Sequence, residues 1–88
     1  PDAEITREQI AVILYNYTSY KQGDTTVSGS AAAFADGNTV SDWAANAVNW
    51  ALGKNLIKGV GDNMLAPQNS ATRAEIVTIL MRYMGGAK

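Results

Sequence analysis

The sequence carries one short pattern twice, and this internal repeat restricts the fold more than any other feature. Each copy joins a Thr-Arg start to the same apolar spacing: Thr6-Arg7-Glu8-Gln9-Ile10 with Ile13-Leu14 and Tyr17, and Thr72-Arg73-Ala74-Glu75-Ile76 with Ile79-Leu80 and Tyr83. The copies are 66 residues apart (72 minus 6). A repeat of this kind indicates neighbouring units that complete each other's hydrophobic core. The chain therefore contains the end of one unit and all of the next.

The apolar spacing predicts an all-α fold with helices near residues 6–20, 41–54 and 72–84. In the first and third helices, apolar residues recur at the three- and four-residue intervals of one helix face. Gly85-Gly86 is expected to end the third helix. Because these two helices share one pattern, we expect them to pack side by side as equivalent elements, with Tyr17 and Leu80 in the core.

A capping box is predicted at the start of both repeated helices, where Thr6 precedes Gln9 and Thr72 precedes Glu75. The arginine after each threonine needs another explanation, because the positive end of a helix disfavours a cation. One interpretation is functional: an arginine beside free N-terminal amides binds an anion. The other is an internal salt bridge, with Asp36 or Asp62 as partner. The residues alone leave both open.

Aromatic and acidic residues give further candidates. Trp50 lies in an apolar run and is predicted to be core, whereas Trp43, beside Ser41-Asp42, is expected nearer the surface, where its ring could stack on a sugar. Asp36 is expected to order a turn. The Gly59-Val60-Gly61-Asp62 stretch lacks the further acidic ligands that a calcium loop needs.

Composition excludes several classes of function. The 88 residues include no cysteine and no histidine, which removes thiolate metal sites, disulfides and the commonest general base. With a net charge of −1, the chain lacks the positive potential that binding of a nucleic-acid backbone requires. No stretch has the length of a membrane span, and the first residues lack the features of a signal peptide. We expect no cofactor, no metal and no enzymatic activity.

The ordered set of motifs resembles the S-layer homology (SLH) family. The elements that carry the resemblance are Phe34-Ala35-Asp36, Trp43-Ala44 with Ala47-Val48, Leu56-Ile57 with Gly59, Pro67, and Thr72-Arg73-Ala74-Glu75. Residues 34–88 resemble a complete motif and residues 1–20 the last part of a preceding one, with a flexible loop at 21–33 between them. The chain departs from the family pattern at Gln9, at Asn55 and at Asn63-Met64-Leu65.

The resemblance implies a helical repeat that anchors bacterial surface proteins by binding an acidic, often pyruvylated, secondary cell-wall polymer outside the cell. It also implies that the arginine of the Thr-Arg-Ala-Glu segment binds the ligand. In this sequence that arginine corresponds to Arg73 and Arg7. Trp43, Asp36 and Gly59 complete the predicted ligand-binding set. The alternative is a structural module that mediates protein–protein assembly, through self-association or contact with neighbouring SLH motifs.

Overall fold

A computed structural model describes residues 5–86 and contains three α-helices: α1 (Arg7–Tyr20), α2 (Ala45–Gly53) and α3 (Arg73–Gly86). Three short 3-10 turns (Ala31–Ala33, Gly37–Thr39 and Asp42–Ala44) precede α2. Within residues 5–86 the extended backbone forms only two isolated bridges, Thr6 with Ser70 and Gly61 with Met64. The all-α prediction is confirmed. The predicted second helix starts as a 3-10 turn, and α3 continues through Gly85-Gly86 instead of ending there.

Both predicted capping boxes are present. The Thr6 hydroxyl accepts from the Gln9 amide at 3.1 Å, and the Gln9 side chain accepts from the Thr6 amide at 2.8 Å. Thr72 and Glu75 repeat this exchange at 3.1 and 2.7 Å. Each box satisfies two amides that a helix start leaves without partners, and such a cap stabilises by about 1 kcal/mol.

The core lies between α1 and α2, which pack side by side. Trp50 is buried at its centre, as predicted, and the ring of Tyr15 meets it edge-on with centroids 5.5 Å apart. The Trp50 indole nitrogen donates to the carbonyl of Asp24 at 2.9 Å, so that its polar atom is satisfied.

The buried face of α1 differs from the predicted one. Ala11, Leu14 and Thr18 are buried, whereas Ile13 and Tyr17 are more than half exposed. The prediction for Tyr17 was therefore wrong. Because a small residue, Ala11, and a polar one, Thr18, belong to this face, a pattern that counts large apolar residues does not reveal it.

The buried face of α3 also differs from expectation. Ile79 is buried, at 3% exposure, whereas Leu80 is 40% exposed. The core prediction for Leu80 was wrong because the part of the structure described here places no helix against the face on which it lies.

Helices α1 and α3 lie side by side and run in the same direction, since their starts and their ends both meet. Near the starts, Arg7 pairs with Glu75 at 3.2 Å. Near the ends, the hydroxyls of Thr18 and Tyr83 are 2.7 Å apart and the rings of Tyr17 and Tyr83 meet edge-on. These contacts are made by long side chains, and the closely packed pair is α1 and α2. The two repeated helices are not the equivalent elements that the shared pattern predicts, because they bury different faces.

The segment at 21–33 is held against α2 at several points. Lys54 pairs with Asp24 at 2.5 Å, and the Ala31 amide donates to the Asn49 side chain at 2.8 Å. Gly29 and Gly53 touch so closely that a Cβ on Gly29 would clash with the backbone nitrogen of Gly53. The small and polar residues of this segment do not predict these contacts.

Candidate functional site

Arg7 is buried, at 5% exposure, and each of its three guanidinium nitrogens donates within the protein. It donates to the carbonyl of Leu65 at 3.0 Å, to the carbonyl of Lys58 and to the carboxylate of Glu75 at 3.2 Å. The internal salt-bridge interpretation is therefore correct for Arg7, but its partner is Glu75 instead of Asp36 or Asp62. Arg7 joins the end of one repeat to the turn and the helix of the next.

The start of α1 has no free amides to offer an anion. The Arg7 amide donates to the carbonyl of Asn69 at 3.0 Å, and the Glu8 amide donates to that of Pro67 at 2.9 Å. The Gln9 amide is bound in the capping box. The anion-site interpretation of α1 is thus wrong, because the segment before α3 already covers that helix end.

Arg73 is in the opposite situation, although it occupies the matching position of the repeat. Its side chain is exposed, and it forms no hydrogen bond or ion pair with any residue between 5 and 86. Neither Asp36 nor Asp62 is its partner. The structure therefore leaves the Arg73 guanidinium available to a ligand.

A groove of about 390 Å³ separates the segment 57–60 from α3. Three cations and one carboxylate line it: Arg7, Lys58, Arg82 and Glu75. Because Arg7 and Glu75 neutralise each other, Lys58 and Arg82 give the groove a surplus of positive charge. Arg82 donates one N–H to the carbonyl of Leu56 at 3.3 Å, and its other N–H groups can make further contacts.

Of the five predicted ligand residues, Arg7 and Gly59 line this groove, whereas Arg73, Trp43 and Asp36 do not. Gly59 is required by packing, since a Cβ there would lie 2.7 Å from the ring of Phe34. Trp43 is 63% exposed in the 3-10 turn Asp42–Ala44, nearer the surface than Trp50 as predicted. Its contact with a sugar stays a prediction.

Asp36 orders a turn, as predicted, but this turn contains Leu65 and Ala66 and lies about 30 residues further along the chain. Its two carboxylate oxygens accept from the amides of Leu65 at 2.7 Å and Ala66 at 2.8 Å. Ala66 has a φ of 52°, a left-handed conformation that a non-glycine residue adopts only when other contacts hold it. The amide hydrogen bonds, above all that from Leu65, lower the pKa of Asp36.

This lowered pKa predicts acid sensitivity. The unfolded chain takes up the Asp36 proton near pH 3.9 and the folded chain only at lower pH, so the stabilisation is present above about pH 4 and is lost as the pH falls further. When urea unfolding is measured between pH 7 and pH 2, Asp36→Asn should reduce the amount by which the free energy of unfolding falls at acid pH. Asp42→Asn, at an exposed carboxylate, is the control. Parallel curves for all three proteins would contradict the assignment.

Three residues of this region escaped the sequence analysis. Glu8 is buried and accepts from the Ser41 amide at 3.0 Å and the Ser41 hydroxyl at 2.7 Å, which fixes the start of the 3-10 turn before α2. No sequence signal joins these two positions. Lys58 looks in the sequence like an ordinary solvated charge beside a turn. Arg82 could have been found, because it lies seven residues after Glu75 and hence on the same face of α3.

The end of one helical repeat and the whole of the next therefore meet at a groove with a surplus of positive charge. A sequence profile of the S-layer homology domain matches residues 33–77, about half of the chain. The chain belongs to the S-layer homology domain family, as its motifs predicted. Domains of this family are generally cell-wall anchoring modules of surface proteins.

Curated relatives agree with this membership. A surface layer protein of Brevibacillus choshinensis is 34% identical over 90 residues, which covers 96% of this chain and 7% of that protein. An amylopullulanase of Thermoanaerobacterium thermosulfurigenes is 34% identical over 84 residues, with 91% and 4% covered. The exoglucanase XynX of Acetivibrio thermocellus is 39% identical over 84 residues, with 91% and 7% covered. The chain thus spans less than a tenth of the length of these relatives.

No solved structure matches the chain. Between residues 5 and 86, no helix is both long and apolar enough to cross a membrane. The same residues contain no group of three histidine, cysteine, aspartate or glutamate side chains that could hold a metal ion.

Proposed function

We propose that this chain anchors a surface protein to the cell wall by binding an acidic secondary cell-wall polysaccharide, with carboxylates such as those of pyruvyl acetals as the groups recognised. The observation that carries this proposal is the positive groove between the two repeats, in a chain of a family of anchoring modules. The relatives that carry enzyme names match only over a small part of their length. This favours an accessory, non-catalytic role for the matched part.

Lys58 and Arg82 are the proposed carboxylate contacts in the groove. The Lys58 side chain is exposed, while its backbone carbonyl holds Arg7 in place. A planar guanidinium can meet a carboxylate with two parallel hydrogen bonds, which suits Arg82. Arg7 would act as a positioning residue, since it is buried and each of its three guanidinium nitrogens already donates within the protein. Asp36 is left out of the proposed site because two amides occupy its oxygens.

Arg73 is a further proposed contact, at the start of the helix that lines the groove. Its neighbour Ala74 lines the groove, and its own guanidinium has no partner within the described range. Trp43 remains a proposed stacking platform for a sugar ring on a separate part of the surface.

The experiment is a binding assay with purified cell-wall sacculi, before and after hydrofluoric acid extraction of the secondary polymer. Lys58→Ala should weaken binding to intact sacculi by about tenfold, since one hydrogen bond to a charged group contributes about 1.5 kcal/mol. The variant keeps the backbone carbonyl that Arg7 needs, so folding should be unaffected. Lys21→Ala removes the same charge at the exposed end of α1 and should bind like the parent.

A second pair of variants tests geometry apart from charge. Arg73→Lys keeps the charge but loses the planar fork, so we expect weaker binding, and Arg73→Ala should weaken it further. Both should keep the melting temperature of the parent. Equal binding by the Lys58 and Lys21 variants, or undiminished binding to extracted sacculi, would show that the ligand is not an acidic polymer in this groove.

A further inference from the structure

A second cleft, of about 450 Å³, lies between two of the 3-10 turns, Ala31–Ala33 and Gly37–Thr39, and helix α2. None of its lining residues belongs to the groove beside α3. Its volume is within the range of small-ligand pockets, about 300–1,000 Å³. The anchoring function proposed above does not use this cleft, so its chemistry can be considered separately.

Backbone contacts hold the walls of this cleft in place. The Ala31 carbonyl accepts from the Phe34 amide at 2.9 Å, and the Ala31 amide donates to the Asn49 side-chain oxygen at 2.8 Å. A Cβ on Gly37 would lie 1.9 Å from the Ala31 carbonyl oxygen, so the close approach of the two turns requires glycine. The two turns and α2 are thus joined to one another, and the cleft is preformed.

No charged side chain between residues 5 and 86 lines the cleft. Asp36 lies in the sequence between the lining residues Ala35 and Gly37, but its oxygens accept from the amides of Leu65 and Ala66. A charged ligand group would lose water in the cleft without gaining a counter-ion, which is unfavourable. The cleft is therefore suited to an uncharged ligand, unlike the groove beside α3.

Two asparagine side chains and one hydroxyl provide free donors in the cleft. The oxygen of Asn49 accepts from the Ala31 amide, which fixes the orientation of the side chain, and its NH2 group has no partner in the described range. The Asn38 side chain is exposed and forms no hydrogen bond with any residue between 5 and 86. The Ser30 hydroxyl accepts from the Ala32 amide at 3.2 Å and can still donate.

Apolar side chains lie beside these donors: Ala31, Ala32, Ala35, Ala45, Val40 and Phe34. An acetamido group matches both parts of the lining, since its carbonyl oxygen accepts from N–H groups and its methyl group is apolar. We propose that this cleft binds an uncharged N-acetylated amino sugar. The acetamido carbonyl accepts from the Asn49 NH2 group, and the ring hydroxyls face Asn38 and Ser30. The site is separate from the carboxylate contacts of the groove and does not depend on them.

The test uses the methyl glycoside of N-acetylglucosamine, with methyl glucoside, which lacks the acetamido group, as the matched ligand. Nitrogen–proton correlation NMR spectra of the 88-residue chain follow the side-chain NH2 signals during each titration. We expect the Asn49 and Asn38 signals to shift with a Kd of about 1 mM, as is usual for one sugar ring in a small cleft. Methyl glucoside should bind at least about tenfold more weakly.

Asn49→Asp keeps the oxygen that accepts from Ala31 but loses the NH2 donors, so it should weaken binding by at least about tenfold. Asn46→Asp makes the same change at an exposed position of α2 outside the cleft and should bind like the parent. Ala32→Leu keeps every donor but fills the cleft with a larger side chain, and it should also weaken binding. The same spectra show whether each variant is folded.

Equal affinity of the Asn49 and Asn46 variants would overturn the proposal, as would equal affinity of the two glycosides or the absence of any shift. Tighter binding of N-acetylalanine methylamide than of the glycoside would overturn it too, because the cleft would then recognise a peptide. The sugar probe carries no acid group, so failure here and failure of the proposed anchoring function are distinguishable.

Discussion

Replacing Arg7 by alanine is expected to lower the free energy of unfolding by about 3–5 kcal/mol, the usual cost of removing one partner of a buried ion pair. The substitution leaves the carbonyls of Leu65 and Lys58 without their donor and Glu75 without its counter-ion. These three groups belong to the second repeat, so the substitution removes one of the links between the two units. Because small domains are stable by only about 5–15 kcal/mol, much of the stability depends on this side chain.

Arg73→Ala is the matched control, with the same residue type at the same position of the repeat. Its exposed side chain has no partner in the described range, so the cost should stay within about 0.5 kcal/mol. Urea unfolding followed by circular dichroism measures both variants. If Arg7→Ala is already unfolded in buffer, the loss of helix signal gives the same answer. Equal stability of the two variants would mean that Arg7 is not the link between the repeats.

The sequence predicted the local features of this fold well. The capping boxes at Thr6 and Thr72 form because each joins residues three positions apart, and the turns of a helix bring such residues together whatever surrounds them. The repeat and its helices followed from equally short-range spacing. Family membership followed from the order of several such motifs, each weak by itself.

Contacts between distant residues could not be predicted in the same way. Asp36 binds the amides of Leu65 and Ala66, and Arg7 binds Glu75, because the folded chain brings these segments together. Carboxylates elsewhere in the sequence offered equally plausible partners. Charge and spacing therefore identified Arg7 as unusual without showing what it binds.

The buried faces of the helices were missed for a related reason. The spacing Ile, Ile-Leu, Tyr is identical in α1 and α3, but each helix buries the side against which another segment lies. Ala11 and Thr18 gave no apolar signal on α1, and Leu80 gave a misleading one on α3. In the groove, Gly59 came from the resemblance, whereas Lys58 and Arg82 look in the sequence like ordinary surface charges.

Two neighbouring residues of α3 provide the sharpest test of its orientation. Ile79→Ala is expected to cost about 2–5 kcal/mol, because Ile79 is packed in the core with Leu56 and Ile57 and its truncation leaves a cavity. Leu80→Ala should cost less than about 1 kcal/mol, since Leu80 is 40% exposed. Both substitutions place alanine in the same helix, so differences in helix propensity are small.

Guanidinium chloride unfolding at low protein concentration measures the stability of both variants, because dilution removes any contribution from self-association. A reversed order, with Leu80→Ala the more costly change, would mean that α3 is rotated by about one residue, or 100°, about its axis. That rotation would cover Leu80 and expose Ile79.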